Sequence, residues 1–147
     1  MTSTMPDQLR VLIIDDNALL CATLERWLSH EPGIGWVDHL TDWRLAIANV
    51  QASRPDVVLL DIDFPGTSGL MLIDPLLHAA PGTHIIMLSG LVTRLQIEQA
   101  IDRGASGYIV KDQDSREIAG MVQRAARGEI VLCSVSLAVW AASDART

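Results

Sequence analysis

Five short runs in this chain, residues 11–14, 35–38, 57–60, 85–88 and 107–110, are almost continuously apolar, and longer segments of helical period separate them. A strand that is apolar at successive positions is covered on both faces. Strands of that kind alternating with helices form a parallel sheet with helices packed on each side. The chain is therefore expected to be an α/β protein, a doubly wound five-stranded parallel sheet.

The helical segments carry apolar residues three and four apart: Leu20, Leu24, Trp27 and Leu28; Trp43, Ala46, Ile47 and Val50; Ile97, Ala100 and Ile101; Ile118, Met121, Val122 and Ala125. Each set predicts one apolar stripe lying on the sheet. Asp114 and Glu117 form a D-x-x-E capping pattern before the last of these helices, and Arg103-Gly104 and Arg127-Gly128 end helices with a glycine suited to a left-handed cap. Residues 70–80 should form the third helix, yet Pro75 removes a backbone donor there, so a kink or a late start is expected. Beyond Gly128 an appendage follows, whose Trp140 is expected to pack on the body or on a neighbouring chain.

With 147 residues, 49% of them apolar, and a formal charge of −7, the chain reads as one acidic soluble domain, long enough to bury a core without disulfides or a structural metal. No apolar stretch approaches the roughly 18 residues of a membrane span. Residues 1–10 have no apolar segment typical of a secretory signal, so a cytoplasmic protein is expected. Cys21 and Cys133 match no C-x-x-C spacing and are read as small buried thiols; His30, His39, His78 and His84 are read as surface or boundary residues. Without a Lys/Arg cluster the segment has no footprint for direct nucleic-acid binding.

In a parallel α/β sheet the ligand site lies at the carboxyl ends of the strands. Here the first run ends in Asp15 and Asp16, the third in Asp61, the fourth in Ser89 and the fifth in Lys111. Any one of these is an ordinary turn or cap residue; four strand ends together point to a site. Lys111 is the only lysine among eleven Lys and Arg residues, and its compact charge suits a phosphoryl oxygen in a crowded acidic pocket. Three carboxylates and one ammonium leave a charge of −2, which a divalent cation cancels. Oxygen ligands without a Cys or His cluster select Mg²⁺. Such a set is suited to phosphoryl transfer, with a carboxylate nucleophile, a hydroxyl donor and a cation for developing charge.

The stretches VLIIDDN, DVVLLDIDFPGTSG, MLSG and GASGYIVKD closely resemble response-regulator receiver domains, most of all those of LuxR-type (NarL/FixJ-like) two-component regulators. The resemblance implies a flavodoxin-like sheet of order 2-1-3-4-5, an N-terminal tail over residues 1–8, a receiver over 9–131, and a C-terminal extension or start of a linker over 132–147. It implies phosphorylation of Asp61, with Asp15, Asp16, Asp61 and the backbone carbonyl of Asp63 holding Mg²⁺. Ser89 and Lys111 would contact the phosphoryl oxygens, and Tyr108 would change rotamer with Ser89. Implied partners are a histidine kinase or phosphotransfer protein and a phosphorylation-linked homodimer, with no membrane and no direct nucleic-acid contact. The implied role is that of a switch, and not an enzyme, in transcription regulation.

One rival is an enzyme, because Asp61-Ile62-Asp63 also resembles the D-x-D loop of haloacid-dehalogenase-like phosphatases, which likewise use a Ser/Thr and a Lys. Against it, the D-x-D sits on the third strand, the acidic pair precedes it, and no cap-domain segment is present. A second rival, an interaction module that signals without phosphorylation, is opposed by the complete set of acceptor, metal, hydroxyl and lysine residues.

Overall fold

The computed structural model describes residues 8–112 and 114–144. Apart from Gln8, the expected N-terminal tail falls outside them, as do residues 145–147 of the extension. In chain order the elements are β1 (Leu9–Ile14), α1 (Ala18–Leu28), β2 (Ile34–Leu40), α2 (Ala46–Ser53), β3 (Val57–Asp61), β4 (Asp63–Phe64), β5 (Thr67–Ser68), α3 (Leu70–Ala79), β6 (His84–Ser89), α4 (Arg94–Asp102), β7 (Gly107–Val110), α5 (Ser115–Ala126), β8 (Val131–Leu132) and α6 (Ser134–Asp144). No helix among the described residues is long and apolar enough to cross a membrane.

β3 is buried at every position, which is why its sequence is apolar without alternation. The main sheet runs β2-β1-β3-β6-β7-β8, with every neighbouring pair parallel. Its first five members are the five expected strands in the expected order. The sixth, β8, was not expected: a strand of two residues carries too little pattern to be read from sequence. The hairpin of β4 and β5 escaped the sequence reading for the same reason.

Because side chains alternate across a strand, successive residues feed two cores. Val11, Ile13, Val57, Leu59, Ile86, Leu88 and Ile109 meet Cys21, Leu24 and Leu28 of α1 and Ile118, Met121, Val122 and Ala125 of α5. On the opposite face, Leu12, Ile14, Val58, Leu60, Ile85, Met87 and Tyr108 meet Ala46 and Val50 of α2, Leu72, Ile73 and Leu76 of α3, and Ile97 and Ala100 of α4. Two residues of the expected stripes lie outside these cores: Trp27 is 48% exposed and Ile47 40% exposed. On α1 the buried line is Cys21, Leu24 and Leu28, and Trp27 lies to one side of it.

Side-chain caps fix where α1, α4 and α5 start. Asn17 accepts from Leu20 N–H, Thr93 from Gln96 N–H and Asp114 from Arg116 N–H. Gly104 and Gly128 both adopt positive φ after their helices, as expected. The late start expected for α3 needs correction, because the helix starts at Leu70 and extends through Pro75. Proline costs it the donor to the Met71 carbonyl, and Met71 and Pro75 both lie on the exposed side, where water can serve that carbonyl. Pro75→Ala is expected to stabilise the protein by about 1–2 kcal/mol, the helix gain being partly offset by a freer unfolded chain. Urea denaturation checks this; an unchanged or lower midpoint would show that α3 carries no proline penalty.

Candidate functional site

Strand register brings the chemistry to one edge. Ile14 lies opposite Leu60, Asp61 opposite Leu88 and Ser89 opposite Val110, so Asp15, Asp61, Ser89 and Lys111 all emerge at the carboxyl end of the sheet. The ladder extends past the strand ends through Asp15 N–H to the Leu40 carbonyl (3.1 Å) and Lys111 N–H to the Ser89 carbonyl (2.9 Å).

Asp15 and Asp61 are buried, at 0% and 1% exposure, while Asp16 is exposed at the rim. Lys111 Nζ stands 2.8 Å from Asp15 Oδ2 and 3.0 Å from Asp61 Oδ1. Carboxylate oxygens of Asp15, Asp16 and Asp61 lie within 4.8 Å of one another. Asp15 Oδ1 accepts from Asn17 N–H at 2.8 Å, and Asp61 Oδ1 accepts from Asp63 N–H at 3.2 Å. Asp15 Oδ2 is buried without an aligned hydrogen bond and has only its ion-pair contact with Lys111. A buried, under-satisfied carboxylate oxygen among two further carboxylates fits a hard cation.

Burial is the main force on Asp61. It pushes the carboxyl up from 3.8 to about 6 against the lowering effect of the Asp63 N–H bond; the Asp15 charge adds to the rise and Lys111 opposes it. For Lys111, burial works to lower the ammonium pKa, but the close contacts with the Asp15 and Asp61 carboxylates outweigh it and hold the pKa above the ordinary value. One ammonium shared by two buried acids is secured by both yet cannot fully compensate either. Beneath the site Cys21 Sγ donates to the Asp15 carbonyl at 3.2 Å, and burial pushes its thiol to about 12, so this cysteine is inert. Cys133 is buried too, and both are free thiols.

Ser89 and Tyr108 converge on a single backbone carbonyl. The Ser89 hydroxyl donates to the Leu91 carbonyl and accepts from Leu91 N–H at 3.2 Å, and the Tyr108 hydroxyl donates to the same carbonyl at 3.2 Å. Tyr108 is fully buried while Ser89 is still turned to Leu91. Burial raises the Tyr108 pKa.

Gly69 was missed in the sequence. A Cβ there would stand 1.9 Å from the Asp61 carbonyl, so only glycine lets the β5–α3 junction close over the Asp61 loop. Its N–H donates to the Ile62 carbonyl at 2.7 Å. The available signal was a second glycine in PGTSG, three residues after the one that makes the turn. His39, read as a boundary residue, pairs with Glu25 at 3.0 Å.

Residues 11–123 match the model of the response regulator receiver domain family. The chain belongs to that family. The receiver is 31% identical over 133 residues to the nitrate/nitrite response regulator protein NarL of Escherichia coli (strain K12), covering 90% of this chain and 62% of that protein. It thus spans under two thirds of that relative's length. Its fold is similar to that of a LuxR-family two-component response regulator from Aurantimonas sp. SI85-9A1, with a TM-score of 0.87 at 20% identity over 94% of this chain and 99% of the other. It is also similar to a response regulator from Burkholderia pseudomallei whose structure carries a phosphorylated aspartic acid, a calcium ion and citrate, with a TM-score of 0.73 at 28% identity over 82% and 70% of the two chains. Nothing in these matches favours the haloacid-dehalogenase-like alternative.

The raised Asp61 pKa has a consequence for stability. Between about pH 4 and 6 the folded protein holds a proton there that the unfolded chain has lost, so stability falls as pH rises through that window and stays reduced above it. Asp61→Asn lacks this loss. In metal-free buffer at pH 8 the variant is expected to exceed the wild type by up to about 3 kcal/mol, the difference closing as the pH approaches 4. Denaturant unfolding at both pH values with a chelator checks it; equal stability at pH 8 contradicts it.

Proposed function

We propose that this receiver is a phosphorylation-dependent switch of a two-component system, accepting a phosphoryl group on Asp61 from a histidine kinase or phosphotransfer protein. The observation that carries the reading is the Lys111 ammonium held between two buried carboxylates, with the exposed Asp16 closing an acidic cluster at the mouth. Asp15, Asp16, Asp61 and the backbone carbonyl of Asp63 would hold Mg²⁺. Bound there, Mg²⁺ supplies the hard positive charge that lets anionic oxygens crowd together.

A carboxylate oxygen of Asp61 attacks the donor's phosphorus; an O–P bond forms as the P–N bond of the phosphohistidine breaks, and the freed imidazole takes a proton. Lys111 exchanges its contact with Asp61 for one with a phosphoryl oxygen, and Ser89 turns from Leu91 to donate to another. Tyr108 stays bound to the Leu91 carbonyl and reports the change to α4. A shallow groove along α1, lined by Leu19, Leu20, Thr23 and Trp27, reaches Lys111 and supports the approach of a donor protein to the site. The output that fits the LuxR-type relatives is transcription regulation through a phosphorylation-linked homodimer in the cytoplasm, without DNA contact by this acidic segment.

Incubation with Mg²⁺ and acetyl phosphate is expected to add one phosphoryl group, read by intact mass, and Asp61→Asn should add none. Labelling of that variant to the wild-type extent would reject Asp61 as the acceptor. Mg²⁺ at a hundredfold excess over its Kd should add about 2.7 kcal/mol of stability. Thermal melts that respond to zinc and not to millimolar Mg²⁺ would reject the metal assignment.

A further inference from the structure

α6 is fastened to both helices that flank β7. At its start the Glu117 carboxylate of α5 accepts from Ser134 N–H at 2.7 Å, so this residue of the expected capping pattern also anchors a different helix. Further along, the Arg94 guanidinium of α4 lies 4.1 Å from the centroid of the Trp140 ring and donates to the Trp140 carbonyl at 3.3 Å. Glu98 holds Arg94 in place at 3.0 Å. Trp140 packs against the core that contains Tyr108 and Ile97, as the sequence led one to expect of a tryptophan packing on the body. The connection into α6 is made on Tyr108 itself: Leu132 pairs with Tyr108 in the sheet, and Cys133 N–H donates to the Tyr108 carbonyl at 3.3 Å. Gly107, opposite Val131, leaves space for this approach, since a Cβ there would stand 2.5 Å from the Val131 carbonyl.

The clamp residue Arg94 is the first residue of α4, three positions after Leu91. Leu91 is pinned by the two bonds to Ser89 and the one from Tyr108. We infer that α6 is a strap over the α4–β7 face, held by the Arg94–Trp140 clamp, and that phosphorylation of Asp61 loosens it through Ser89 and Leu91. This rests on Asp61 being the phosphoacceptor. When the Ser89 hydroxyl turns to a phosphoryl oxygen, Leu91 loses a donor at its carbonyl and an acceptor at its N–H, keeping only the Tyr108 bond of the three. The loop leading to Arg94 is then free to shift. The Arg94 bond to the Trp140 carbonyl is already long at 3.3 Å, so a displacement of less than about 1 Å removes it. The Glu117 anchor, on the other side of β7, stays in place, so the strap opens from its Trp140 end.

Hydrogen exchange read by mass spectrometry on peptides covering residues 134–144 tests this in the full chain. With Mg²⁺ and beryllofluoride, exchange in α6 should rise about fivefold or more. Ser89→Ala should give the same rise with no anion present, whereas Tyr108→Phe, which keeps both Ser89 bonds to Leu91, should still respond to beryllofluoride. Arg94→Met should exchange rapidly in every state and respond to nothing. Binding of beryllofluoride is read separately as a rise in Tm. A Tm rise with unchanged α6 exchange overturns the strap and leaves the phosphoacceptor reading standing. No Tm rise overturns both. Slow, wild-type exchange in the folded Ser89→Ala variant overturns the route through Leu91.

Discussion

The Lys111 ammonium lies 2.8 Å from Asp15 and 3.0 Å from Asp61, two carboxylates with almost no exposure. An uncompensated buried carboxylate costs several kcal/mol, so β1 and β3 can end in buried acids only because β7 delivers a cation between them. The parallel register makes that delivery possible, since it ends the three strands at one level. Yet the compensation is incomplete by design of charge: one ammonium faces two buried acids and a third at the rim, and Asp15 Oδ2 has no aligned hydrogen bond. The same arrangement that lets the fold close leaves a site that further positive charge would stabilise.

Most of this was legible in the sequence because it is written in short-range pattern. Buried parallel strands have near-continuous apolar runs, and the residue after each run is where a parallel sheet places its ligands. Asp15, Asp16, Asp61 and Lys111 could be found by that rule alone. The two cores were legible as well, since strand alternation and helical period are both local properties.

What was not legible depended on contacts between distant parts of the chain. Gly69 matters because of where the Asp61 carbonyl lies, and no window of sequence contains that distance. β8 is two residues long and exists because Gly107 leaves room for it. Glu117 fits a local capping pattern, but the amide that it bonds at Ser134 belongs to another helix. Trp27 has the spacing of a core residue and lies half exposed, because α1 needs only Cys21, Leu24 and Leu28 to cover its part of the sheet. Pro75 was read as a sign of a kink or a late start, yet the helix begins at Leu70, since a proline on the exposed side of a helix whose other side is deeply buried is tolerated.

Strand alternation also determines which way a change at the site can travel. Ile85 and Met87 point into the core under α2, α3 and α4, so by the two-residue period Ser89 falls on that same face. Tyr108 is on it too, paired with Met87 and therefore diagonal to Ser89. Both hydroxyls meet at Leu91, in the loop that leads to α4. The opposite face is packed by α1 and α5 against Leu88 and Ile109, and the same period puts Asp61, after Val57 and Leu59, on that side. The two hydroxyls are thus tied to the loop that leads into α4, while the charged part of the site is backed by α1, whose Cys21 bonds the Asp15 carbonyl.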